Sequence, residues 1–134
     1  MKVKAFYIIF FFFSLINIAK AQNADEIVKE VTGYLRSANT QEIAGNFAST
    51  VELIILSEED VYSKTQAEII LRDFFSKHQP TSAKIIHLLD SNPNYRFAVV
   101  TLKTTNGNFR VSFSLKDTGG RFLITDMRIE LEKE

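Results

Sequence analysis

The chain of 134 residues contains no cysteine. That absence excludes disulfide scaffolds, thiolate zinc centres, cysteine nucleophiles and lipid attachment at a processed cysteine. With 5 glycines and 2 prolines, collagen-like sequence is excluded as well. Histidine occurs only at positions 78 and 87, with no HxH or HExxH spacing, so a catalytic zinc site has no signature. No G-x-S-x-G is present. Gly119-Gly120 is explained by a turn rather than by a phosphate-binding loop. Neither charge sign dominates, since 16 basic residues face 16 acidic ones, and no basic run marks a nucleic-acid surface. What remains is 46% hydrophobic and 12% aromatic, the composition of one globular domain and too short for a two-domain enzyme.

Apolar residues open the chain. Lys2 and Lys4 precede a run of 14 weakly polar or apolar residues, Ala5 to Ile18, and Ala19-Lys20-Ala21 follows. A positive start, a short apolar stretch and small residues at the cleavage positions form a secretory signal peptide. A membrane-spanning helix needs about 20 apolar residues, so the run is short for an anchor. Residues 1–21 are therefore read as a signal peptide and 22–134 as a single domain, periplasmic or extracellular. Its removal leaves 113 residues with 13 basic and 16 acidic side chains. A chain of that size buries roughly two-thirds of its unfolded surface, enough for one core without cross-links.

The mature region reads as helices first, then strands. Asp25 is a candidate cap for a helix carrying Ile27, Val31, Tyr34 and Leu35 up to about Ser37. Asn39 and Glu42 have capping-box spacing before Ile43 and Phe47. Val51 to Leu56 reads as a strand, and Ser57-Glu58-Glu59-Asp60 as a solvated acidic loop without the ligand spacing of a calcium site. Ser63 and Gln66 form a second capping box. Ala67, Ile70, Leu71, Phe74 and Phe75 then make one apolar helical stripe. Glu68–Arg72 and Asp73–Lys77 are i,i+4 ion pairs on the wet side, each worth a few tenths of a kcal/mol. Each buried stripe residue contributes about 1.5–3 kcal/mol, so the stripe docks the helix. Histidine at 78 suits the helix C-terminus, where positive charge is favourable.

Four strands follow, at about 82–91, 95–105, 108–116 and 121–131. Asn106-Gly107 is a strong hairpin signal, because a type I′ turn needs positive φ at both central residues. A two-residue loop there sets Thr105 opposite Asn108. It puts Leu102, Val100, Ala98, Phe109, Val111, Phe113 and Leu115 on the core face, with Lys103 and Arg110 outside. Placing Asp90 opposite Arg96 sends Ile85, His87 and Leu89 outward beside Phe97 and Val99, an apolar patch of the kind that marks association. The last strand has two readings. A four-residue loop sends Phe122, Ile124, Asp126 and Arg128 to the core. A glycine bulge sends Leu123, Thr125, Met127 and Ile129 there instead, and is favoured because it buries no charge.

Two or three N-terminal helices, one early strand and a C-terminal antiparallel meander resemble the nuclear transport factor 2-like superfamily, an α+β cone related to cystatin-like folds. The segments Val61–Phe75, Asn106–Val111 and Leu123–Glu130 are similar to a secreted bacterial branch of unknown function. The resemblance spans residues 24–132. It implies helices packed on a strongly curved antiparallel sheet, and often a dimer through the outer sheet face. In some relatives it implies a small apolar ligand, or an isomerase or dehydratase site, inside the cone. Function does not follow from fold, so each chemical role must be read from residues.

The expected role is a non-catalytic binding domain. A homodimer or a protein partner is assigned to Ile85, His87, Leu89, Phe97 and Val99. A small apolar cavity between the third helix and the sheet is assigned to Tyr34, Tyr62, Leu71, Phe74, Phe113 and Asp126. No cofactor and no metal is expected. The alternative is a small-ligand isomerase, dehydratase or hydrolase. Its base and donors would come from Tyr34, Tyr62, Asp126 and, in another register, His87. As a third reading, the chain is an envelope accessory module with no pocket.

Overall fold

The computed structural model describes residues 23–133; the expected signal peptide lies outside them. The elements are α1 (Ala24–Ser37), α2 (Thr40–Gly45), β1 (Phe47–Ile55), β2 (Glu58–Ser63), α3 (Lys64–Lys77), β3 (Pro80–Asn92), β4 (Tyr95–Thr104), β5 (Gly107–Thr118) and β6 (Arg121–Leu131). One six-stranded sheet has the order β2-β1-β6-β5-β4-β3. The expected α+β architecture is present, with helices on one face of a mostly antiparallel sheet. The exception is β1, which runs parallel to β6.

Helix caps follow local chemistry. Asn23, not Asp25, caps α1: its side-chain oxygen accepts from the Asp25 N–H at 2.9 Å. Asn39 caps α2 by accepting from the Glu42 N–H. The Ser63/Gln66 capping box is reciprocal, as expected. The acidic stretch is not a loop. The turn is Leu56-Ser57 alone, and Glu58, Glu59 and Asp60 pair with Ile55, Ile54 and Leu53 as β2. This adds a strand to the expected five.

The inner sheet face packs Leu53, Met127, Ile124, Val111, Phe113, Val100 and Leu102 against Ile27, Val31 and Leu35 of α1 and Ala67, Leu71 and Phe74 of α3. At about 25 cal/mol per Å² of buried apolar surface, this contact is the main stabilising term. Arg96 Nε donates to Asp25 Oδ1 at 2.9 Å, pinning the start of α1 to β4.

Three registers differ from expectation. The β4–β5 turn is centred on Thr105-Asn106, with Thr104 opposite Gly107, two residues from the expected pairing. Only Gly107 has positive φ, at 108°, so a type I′ turn on Asn106-Gly107 does not form. The tip is instead held from outside: Thr105 N–H donates to Gln79 O at 2.9 Å, and His78 Nδ1 bonds Asn106 O at 3.0 Å. A two-residue slip preserves the side-chain faces, so the inner and outer sets survive. In β3, a bulge lies between Ile85 and His87. It leaves His87 and Leu89 outside but turns Ile85 inward onto the core, correcting its placement as a surface residue. In β6, a second bulge at Thr125 combines both readings. Phe122 and Ile124 face the core before it, and Met127 and Ile129 after it. Asp126 and Arg128 thus stay out without sacrificing Ile124.

Candidate functional site

The outer sheet face is read across the strands from their pairings. One row runs Val61, Glu52, Asp126, Ser114, Phe97, Leu89. The next runs Glu59, Ile54, Arg128, Ser112, Val99, His87. A third carries Glu130, Arg110, Thr101 and Lys84. Glu52, Glu59, Asp126 and Glu130 occupy the β2-β1-β6 half beside two cations, Arg121 and Arg128. Lys84, Lys103, Arg110 and Lys116 occupy the β5-β4-β3 half, whose outward strand positions carry no carboxylate. Arg110 lies 3.6 Å from Glu132 at the boundary.

Between the two charged halves lies a weakly polar strip, Ser112 and Ser114 on β5. Val99 and Phe97 flank it on β4, Val99 buried and Phe97 half-buried, and Ile54 is buried on β1. A hydrogen-bond relay crosses the strip. Ser114 Oγ donates to Asp126 Oδ2 at 3.1 Å, because a carboxylate only accepts, so Tyr95 Oη donates to Ser114 at 3.0 Å. Thr125 Oγ1 donates to the other Asp126 oxygen at 3.2 Å. On the acidic side, the Glu130 hydrogen bond and charge, helped by Glu59 and Glu52, raise the Arg128 guanidinium above its ordinary value.

A second concavity lies on the helix side. It is a half-open groove of about 260 Å³ between the β1–β2 turn and the C-terminal half of α3. Ile55, Leu56, Ile70 and Phe74 form its apolar walls, and Ser57, Glu58, Asp73, Lys77 and His78 its polar ones. The His78 ring stacks on Phe74 with centroids 4.7 Å apart and meets Phe109 edge-on at 4.8 Å. Among the described residues no three metal-ligating side chains converge.

Of the residues assigned to a cavity, Phe74 alone lines this groove. Leu71 and Phe113 are fully buried in the core. Tyr34 and Tyr62 pack half-buried against it. Asp126 is on the opposite face of the sheet, hydrogen-bonded to Ser114. Of the assigned surface residues, His87, Leu89, Phe97 and Val99 share the outer face, while Ile85 faces inward. The sequence reading missed Leu56, Glu58 and His78 as neighbours. They are joined by a strand and a helix end whose contact no periodicity reports.

Residues 28–130 match the family described as Domain of unknown function (DUF4783). The chain belongs to this family. A DUF4783 crystal structure from Bacteroides uniformis ATCC 8492 is 30% identical, with a TM-score of 0.73, covering 78% of this chain and 95% of that one. Another from Bacteroides ovatus ATCC 8483 is 26% identical, with a TM-score of 0.75, covering 87% and 100%. A domain with a cystatin-like fold from Nostoc punctiforme is 9% identical at a TM-score of 0.66, covering 84% and 80%, a likeness of fold alone. The DUF4783 chain has the nuclear transport factor 2-like, cystatin-like fold that the sequence resembles. No curated protein matches it.

Proposed function

We propose that this DUF4783 chain is an exported domain that works by binding, through the outer face of its sheet, to a second copy of itself or to another protein. The observation that carries the reading is the charge-divided face with its weakly polar middle. A two-fold rotation about an axis near its centre lays the acidic half of one copy on the basic half of another, the self-complementarity an isologous dimer requires. Phe97 and Leu89 supply apolar contact beside that seam, with Leu89 58% exposed. Binding is also favoured over chemistry by the interior. Among the described residues the buried polar side chains are Thr32, Thr40 and, on the outer sheet face, Ser114, and Thr32 is occupied by its own helix, donating to Val28 O at 2.7 Å. A proton-transfer site needs a placed base and donor in the same enclosed space.

Sedimentation of the protein tests the reading. Association at micromolar concentration supports it, and a monomer at high micromolar concentration with no protein partner on that face overturns it. Export is tested separately by the N-terminus of material taken from its host, which should begin at Gln22.

A further inference from the structure

We propose that the partner on the outer sheet face is a second copy of this chain, turned about a two-fold axis that runs parallel to the strands between β5 and β6 and seats Val61 of each copy on Leu89 of the other. This arrangement rests on the binding role given to that face, and it fixes the partner, the axis and one further contact residue, Val61.

Val61 lies on β2 beside Glu58, Glu59 and Asp60, yet its side chain is apolar and 59% exposed. Leu89, the other strongly exposed apolar side chain of the row, lies at the opposite end, on β3. β2 and β3 are the two edge strands of the sheet, so Val61 and Leu89 stand equally far from the midline between β6 and β5. Rotation about that midline exchanges β2 with β3, β1 with β4 and β6 with β5, and keeps each row at its own level. It brings the two exposed side chains together, and does so twice, because in an isologous interface a contact of one residue with another is returned. A foreign partner would impose no such relation between the two ends of the row.

The same rotation matches the charges. Glu130 comes over Arg110 of the second copy, Asp126 over Ser114 and Arg128 over Ser112. Glu59 comes over His87, whose ring offers a carboxylate an N–H in either tautomer, and Glu52 comes over Phe97. The remaining pair, Ile54 and Val99, is apolar. No like charges meet in these rows. The other two-fold in the plane of the face runs across the strands and lays every strand on its own copy. Placed between the Ser112 and Ser114 rows, it stacks acidic half on acidic half and turns Arg110 onto Lys116 of the second copy. Like charges facing across an interface are strongly disfavoured, so charge selects the axis parallel to the strands.

The chain has no cysteine, so introduced thiols report contacts without background. Val61→Cys and Leu89→Cys proteins are treated with a short bismaleimide, each alone and after mixing to exchange subunits. A cross-linked dimer is expected from the mixture and from neither protein alone, because the edge strands of a six-stranded sheet lie about 24 Å apart. The reagent bridges the slide of about one row that the roughly 30° crossing of aligned sheets gives at their edges. Val61→Asp should weaken the sedimenting dimer about tenfold or more, with an unchanged melting temperature, and Val61→Leu should not weaken it. A wild-type dimer whose mixture does not cross-link, either single variant cross-linking to itself as readily as the mixture, or indifference to Val61→Asp overturns this arrangement and leaves the face as a binding surface. A monomer that holds a different protein on the face also overturns it alone, whereas a monomer with no protein there overturns both readings.

Discussion

β2 and β3 both border the sheet, yet β2 is 6 residues long and carries Glu58, Glu59 and Asp60, whereas β3 is 13 residues long and exposes Ile86, Leu88 and Leu89. A free edge offers unpaired N–H and C=O groups to any passing strand. β2 is guarded by brevity and negative charge. β3 is longer and oilier, and its ladder is broken by register shifts near Thr81, Ile86 and Asp90-Ser91. Such bulges twist an edge away from flat pairing while leaving its outward side chains available. The same asymmetry continues over the outer face, acidic on the β2 side and basic with apolar residues on the β3 side. In the proposed dimer the acidic half of one copy faces the basic half of the other.

The largest effect is expected from placing a charge in the apolar part of the β3 side. Phe97→Asp should weaken self-association by about 2–4 kcal/mol, thirtyfold or more, with unchanged far-UV circular dichroism. A variant that still sediments as the wild type does would break the comparison. Charge reversal comes next. Lys84→Glu with Lys116→Glu, or Glu52→Lys with Glu59→Lys, should each weaken the homodimer roughly tenfold. Mixing the two proteins should restore a heterodimer, visible by native mass spectrometry. Raising ionic strength from about 0.1 to 1 M should weaken the wild-type dimer several-fold, because the Debye length falls from about 10 to 3 Å. The smallest effect is on the guarded edge. Glu59→Val with Asp60→Val should leave the melting temperature within a few degrees but increase light scattering on storage, whereas Leu88→Lys on β3 should reduce it.

Much of the fold was legible because it is local. The 14-residue α3 follows from the Ser63/Gln66 box and the Ala67–Phe75 stripe, each encoded within one or two turns. The inner residues of β4 and β5 followed from alternation, and even a two-residue error in the turn left them in place. The candidate sites were less legible. Ile85 was misplaced because one extra residue at position 86 reverses every side chain before it. His78 and Glu58 are 20 positions apart in the chain, and their shared groove exists only once β1 and α3 pack.

Composition and pattern therefore determined a cysteine-free α+β chain, its helices and its three C-terminal hairpins, because caps, stripes and alternation are settled by neighbours a few residues away. Packing alone decided the parallel β1–β6 pairing, the bulges at Ile86 and Thr125 and the turn at Thr105-Asn106. Each of these trades a local preference for core contacts or hydrogen bonds with distant segments, and such energies have no value until the chain has closed on itself.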